Sequence, residues 1–134
     1  IFTPHMKEMS RLTGIPVEDL REDRIQILKK FADGYQVTCV LKDSRTLIAD
    51  KANEICLNLT GNSAMAKAGS GDVLAGVIAG FMVQEKDTKK AARLGTYVHG
   101  LAGDLAKFEK GVYSVMARDL IEYISKALIK LEDE

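Results

Sequence analysis

Tryptophan is missing from the 134 residues, and four Phe and four Tyr make an aromatic share of only 6%. The stacked aromatic platforms on which single-stranded nucleic acids lie therefore have little to be built from. Neither sign of charge is in excess, since nineteen Lys and Arg meet nineteen Asp and Glu, which removes the compositional argument for a polyanion or an anionic membrane as partner. Two cysteines, Cys39 and Cys56, are too few for a disulfide scaffold. They sit in strand-like apolar runs, as small core residues of a protein in a reducing compartment do. No run approaches the roughly 18 consecutive apolar residues of a membrane span, and the opening seven residues have neither the basic flank nor the apolar stretch of a signal peptide. These absences point to a cytoplasmic globular protein with no nucleic acid and no membrane among its partners. The 46% hydrophobic content is enough for a core, and the length fits one domain of roughly 100 to 200 residues. The chain does not begin with Met and opens Ile-Phe-Thr-Pro, which reads as the end of a strand. The expectation is that residues 1–134 form one partial domain, the C-terminal portion of something longer.

Hydrophobic period changes along the chain. Residues 6–12 read as a short helix stopped by Gly14 and Pro16. Residues 24–32 read as a second, with Ile27, Leu28 and Phe31 on one side. Runs rich in Val, Thr, Ile and Leu at 36–42, 45–49 and 54–59 read as strands, and the short polar linkers between them suit antiparallel connections. From Ser70 the period is helical, with Val73, Leu74, Val77, Ile78, Phe81 and Met82 forming one stripe. A further helix is expected over 88–107, with Asp87 or Thr88 as N-cap. Ser114 is the expected cap of a last one, burying Ala117, Leu120, Ile121, Ile124, Leu128 and Leu131. Helices, strands and then helices imply α/β layering.

Chemistry concentrates where the period changes. Gly69 and Gly71 directly precede an amphipathic helix, so the backbone can approach a ligand closely while the first turn offers unpaired N–H groups and the positive end of the dipole. That is an anion site. Asp72 in the same turn stabilises a helix N-terminus by about 0.3 to 1 kcal/mol. Beside a phosphate-binding loop it is also placed to act as a general base, removing the proton from a hydroxyl that attacks a phosphoryl group. The segment is not a P-loop, because the Lys-Ser/Thr ending is missing, and it lacks the third glycine of the dinucleotide fingerprint. Lys67, just before the loop, is a candidate for neutralising phosphate. His99 is read as a packing residue of its helix. Asn58-Leu59-Thr60 spells a glycosylation sequon, a chance match without a signal peptide.

Gly69-Ser70-Gly71-Asp72 with Val73-Leu74-Ala75-Gly76 after it resembles the anion-hole motif of the ribokinase-like superfamily. Four further blocks occur in order along the chain: Thr3-Pro4-His5-x-x-Glu8-Met9, Val40-Leu41-Lys42-x-x-x-Thr46-Leu47-Ile48-Ala49, Asn58-x-Thr60-Gly61-Asn62, and His99-Gly100-Leu101-Ala102-Gly103-Asp104. The set is most similar to the ADP/ATP-dependent NAD(P)H-hydrate dehydratases. The resemblance implies the C-terminal half of a ribokinase-like three-layer α/β/α sandwich, and a lyase that repairs hydrated NADH or NADPH (NADHX, NADPHX) by phosphorylating the added hydroxyl and eliminating phosphate. It implies ADP or ATP as donor and Mg2+ as cofactor. Carried over, Asp72 becomes the base and a contact to the hydrate, and the amides of Gly69, Ser70 and Gly71 become the anion hole. Lys42, Asp43, Ser44, Arg45 and Thr46 become the nucleotide-contacting segment, together with Gly71. His5 becomes a contact to the hydrated dinucleotide, although a His after Thr-Pro also serves as a helix cap. Glu8 becomes a residue that holds the metal through water, although an acid one turn into a helix is also explained by the dipole.

Three positions depart from the family pattern: Asp43 and Lys7 stand where it usually has Gly, and Lys67 where Thr is common. Asp43 puts an acidic group beside the implied nucleotide phosphate. Family domains are about twice this length, above what one such unit supplies. A sheet cut at its middle exposes an unpaired edge near Ile1 and Phe2, so a homo-oligomer or an N-terminal half is the expected partner. Two other functions stay open at this point: a hydroxymethylpyrimidine or sugar kinase of the same superfamily, which would stop at the phosphorylated product, and a non-catalytic nucleotide-binding fragment.

Overall fold

Leu41 pairs with Leu47, Val40 with Ile48 and Cys39 with Ala49, and this register sorts the side chains of a computed structural model that describes residues 1–52 and 54–132. The elements follow the chain as α1 (Met6–Thr13), α2 (Val17–Glu22), α3 (Arg24–Gly34), β1 (Cys39–Leu41), β2 (Leu47–Ala49), β3 (Ile55–Leu57), α4 (Ser70–Gln84), α5 (Thr88–Lys110) and α6 (Ala117–Glu132). The strands order as β1-β2-β3 with both pairings antiparallel. Phe2 and His5 add a parallel strand segment along β1, bridging to Cys39 and Lys42. The expected strands are present but shorter than read. Residue 53, in the linker before the third of them, lies outside the described residues.

Because successive side chains of a strand point to opposite faces, Cys39, Leu41, Leu47 and Ala49 share one face. They pack there with Met6, Met9, Leu20, Leu28 and Phe31 of α1, α2 and α3. Val40, Ile48 and Cys56 face the other way, against Leu74 and Ile78 of α4 and Ala92 of α5. Helices thus cover both faces, and β1 and β2 are buried throughout, as a sheet in an α/β/α sandwich must be. A third cluster, with Val98, Ala102, Ala106, Leu120, Tyr123 and Ala127, joins α5 to α6.

Three readings need correction. Helix α2 lies between Gly14 and Arg24, where the sequence reading assigns no element. Pro16 presets the entry with φ −55°, Glu18 and Asp19 sit in the first turn, and the wholly buried Leu20 anchors it. Helix α6 starts at Ala117 rather than at a Ser114 cap, because the buried Asp119 carboxylate accepts the Met116 N–H at 2.7 Å. Its buried face is Leu120, Tyr123 and Ala127, while Ile121 is 61% exposed and Leu128 also meets solvent.

Candidate functional site

Three stretches distant in sequence meet at one end of the sheet, and each is brought there by its own local chemistry. The parallel segment ending at His5 leads into α1, and His5 caps that helix: its Nδ1 accepts the Glu8 N–H at 3.1 Å, while Glu8 Oε2 accepts the His5 N–H at 2.7 Å. This reciprocal box satisfies two otherwise orphaned donors and leaves the His5 side chain about half exposed, with its Nε2 3.5 Å from Glu8 Oε1. The backbone bond from His5 holds the Glu8 carboxyl below the usual range, against the opposing effect of burial and with lesser help from the nearby Lys42 ammonium. Lys42 directly follows β1 and is pinned by its N–H to the Pro4 carbonyl at 2.8 Å. Its ammonium lies 3.8 Å from Glu8 Oε2 and 3.2 Å from the point a Cβ on Gly71 would occupy. A lysine at a strand end ordinarily points into water. Here it folds back over the start of α4.

The glycine loop supplies the donors. Gly69 sits at φ +89° as the N-cap of α4, a left-handed conformation that side chains rarely adopt. Ser70 N–H donates to the Lys67 carbonyl at 3.2 Å, and Asp72 N–H returns to the Gly69 carbonyl at 3.1 Å. Among the described residues, the amides of Gly69 and Gly71 have no acceptor, so they remain available at the positive end of a 15-residue helix. Asp72 is exposed one turn in, and its carboxylate accepts no hydrogen bond from the described residues. Beside it an apolar groove of about 500 Å3, lined by Val73, Gly76 and Val77 of α4 and Ile121 and Ile124 of α6, runs between the two helices.

The two remaining sequence blocks, residues 58–62 and 99–104, grip one another. Asp104 of α5 accepts the Gly61 N–H at 2.9 Å and the Asn62 Nδ2 at 2.8 Å. Thr60 Oγ1 donates to the Tyr97 carbonyl at 3.0 Å. Gly100 permits this approach, because a Cβ there would fall 2.1 Å from Thr60 Oγ1. His99 is only 7% exposed, and among the described residues its Nε2 has no partner. Burial pushes its pKa down to about 4, opposed by a hydrogen bond with the Ser70 backbone, so it packs as a neutral ring behind the loop. Lys67 is engaged by its own neighbour, its Nζ donating to the Tyr113 carbonyl at 3.1 Å.

Of the nucleotide segment, Asp43, Ser44 and Arg45 form the exposed turn between β1 and β2, and the Thr46 carbonyl accepts the Asn58 N–H at 2.9 Å. The acidic Asp43 is not free. Arg24 at the start of α3 reaches its Oδ2 at 3.1 Å, a contact that sequence reasoning does not find. Periodicity and motif spacing carry no signal for an ion pair between separate elements.

The family model described as NAD(P)H-hydrate dehydratase matches residues 1–126. Over its full length the chain is 44% identical to a bifunctional NAD(P)H-hydrate repair enzyme of Moorella thermoacetica, of which it covers 25%. It is 36% identical over 98% of its length to the ADP-dependent (S)-NAD(P)H-hydrate dehydratase of Bacillus subtilis, covering 48% of that protein. The crystal structure of the ADP/ATP-dependent NAD(P)H-hydrate dehydratase from Bacillus subtilis, co-crystallised with ATP and Mg2+ and soaked with CoA, superposes with a TM-score of 0.91 at 35% identity, over 96% of this chain and 47% of that one. A ribokinase-like superfamily protein from Enterococcus faecalis follows at 0.74 and 35% identity, over 94% and 44%. The chain thus spans about half the length of the dehydratases it matches and about a quarter of the bifunctional enzymes. Its fold is ribokinase-like. Among the described residues no helix is long and apolar enough to cross a membrane.

Proposed function

This chain belongs to the NAD(P)H-hydrate dehydratase family, and from that premise we propose that it carries the base and phosphate-binding half of an enzyme that repairs hydrated NADH and NADPH. The observation behind this reading is the Lys42 ammonium brought against Gly71 at the start of α4, beside the unpaired Gly69 and Gly71 amides and with Asp72 as the next residue of the same turn. Asp72 takes the proton of the hydrate hydroxyl. That oxygen bonds to the terminal phosphorus of ADP or ATP as the bond to the bridging oxygen breaks, releasing AMP or ADP. The two amides, the α4 dipole and Lys42 stabilise charge on the phosphoryl oxygens. The ring carbon–oxygen bond then breaks, phosphate leaves and a proton is lost from the adjacent ring carbon, which restores the dihydronicotinamide. His5, about half exposed, is placed to contact the dinucleotide.

A Mg2+ ion fits this site only as a companion of the nucleotide phosphates, whose charge it would neutralise. Among the described residues no three His, Cys, Asp or Glu side chains gather as ligands. Glu8, engaged by His5, would meet such an ion through water. For the partner, the exposed Ile1 and Phe2 on the strand segment beside β1 support a second copy or an N-terminal half seated along that edge.

The test is to supply hydrated NADH, Mg2+ and either ADP or ATP, with and without an N-terminal half, and to follow NADH absorbance and released phosphate together. Equal yields of NADH and phosphate are the expected result. A stable phosphorylated product would make the chain a kinase, and nucleotide binding without turnover under every condition would make it a non-catalytic module.

A further inference from the structure

Arg24 and Asp43 each break a local rule. Arg24 is the first residue of α3, at the positive end of the helix dipole, where a cation is disfavoured. Helix α3 has no acidic residue in its first turn, and the Asp23 at its N-cap makes no side-chain capping hydrogen bond. Asp43 sits in the turn that follows Lys42, inside the segment assigned to the nucleotide, where a carboxylate would repel phosphate. The two violations cancel, with Arg24 Nη1 3.1 Å from Asp43 Oδ2 and the side chains 33% and 30% exposed. The pair also ties α3 to the β1–β2 turn just beyond Lys42, whose ammonium lies over Gly71.

We propose that Arg24 is a positioning residue of the nucleotide site: it holds the Asp43 carboxylate away from the phosphates and fixes the turn that directs Lys42 toward the glycine loop. This inference rests on the nucleotide reading above. Arg24 itself touches no phosphate in this account. It acts through Asp43, so its effect depends on Asp43 being charged and on the ligand being an anion.

The experiment titrates ADP and, separately, adenosine into the wild-type chain, Arg24→Ala, Asp43→Asn and the double variant, at low and high salt. It also records backbone amide shifts of the unliganded proteins. Arg24→Ala is expected to weaken ADP by at least about fivefold at low salt, the scale of one unscreened charge near a protein surface, and by less at high salt. Adenosine, which carries no phosphate, keeps its affinity, and the ADP loss disappears when Asp43 is already Asn. The amides of residues 43–46 shift in unliganded Arg24→Ala. An equal ADP loss in both Asp43 backgrounds, or a matching loss for adenosine, overturns the proposal. So do unchanged amide shifts at 43–46, even when ADP binds normally. A wild-type chain that leaves ADP unbound while those amides still respond to Arg24→Ala overturns the nucleotide reading instead, and the positioning role with it.

Discussion

The ammonium of Lys42 lies 3.2 Å from the position a β-carbon on Gly71 would take, which puts a cation from just beyond β1 against a residue with an unpaired amide at the start of α4. One phosphate oxygen can meet both. Lys42→Met keeps most of the apolar stem and removes the charge, so ADP affinity should drop by about tenfold or more, as for a charge-assisted hydrogen bond worth about 1.5 to 3 kcal/mol. Calorimetric titration checks this, and an unchanged dissociation constant would leave Lys42 outside the site.

Asp72 should matter for chemistry and little for folding. Asp72→Asn loses a dipole interaction of no more than about 1 kcal/mol but removes the base, so turnover of hydrated NADH should fall by at least about 100-fold. Comparing kcat with the urea midpoint separates the two effects. Near-normal turnover would refute the assignment.

Gly100→Ala tests the docking of α5 against the 60–62 turn. The new methyl would fall 2.1 Å from Thr60 Oγ1 and 2.7 Å from the Thr60 carbonyl carbon, so the backbone must give way. Overpacking of this kind costs about 1 to 3 kcal/mol. Wild-type stability in urea would show that the turn stands off from the helix.

His99 makes folding stability depend on pH. Its pKa is pushed down to about 4 by burial, below the 6.5 of the unfolded chain, so between these values the unfolded state binds more protons. Stability is then complete above about pH 6.5 and declines as pH falls toward 4, by about 2 kcal/mol at pH 5. Urea titrations at pH 7.5 and 5 should show this loss in the wild type and not in His99→Leu. The same decline in both would place its origin elsewhere.

Much of this was legible in advance, for identifiable reasons. The amphipathic stripes of α4 and α5 follow from a 3.6-residue period sustained over several turns, and the His5–Glu8 box and the glycine loop depend on neighbours in sequence. Helix α2 escaped because six residues with one buried anchor, Leu20, carry no period. The exposure of Ile121 on α6 escaped because an apolar residue next to Leu120 extends the stripe on paper, whereas in space Ile121 faces the groove beside Asp72. Contacts between distant elements escaped altogether. The Arg24–Asp43 pair, the Lys42–Gly71 approach and the grip of Asp104 on Gly61 and Asn62 depend on how layers stack, which no local pattern encodes.

The measurement closest to the central claim is a titration of the isotopically labelled 134-residue chain with ADP, followed by amide chemical shifts. If Gly69 and Gly71 at the start of α4 and Lys42 just beyond β1 together hold a nucleotide phosphate, the amides of residues 69–72 and 42–46 should move with a common dissociation constant. Inorganic phosphate should move residues 69–72 and 42 and leave residues 44–46 unmoved. Saturable ADP binding that leaves residues 69–72 unmoved would contradict the account.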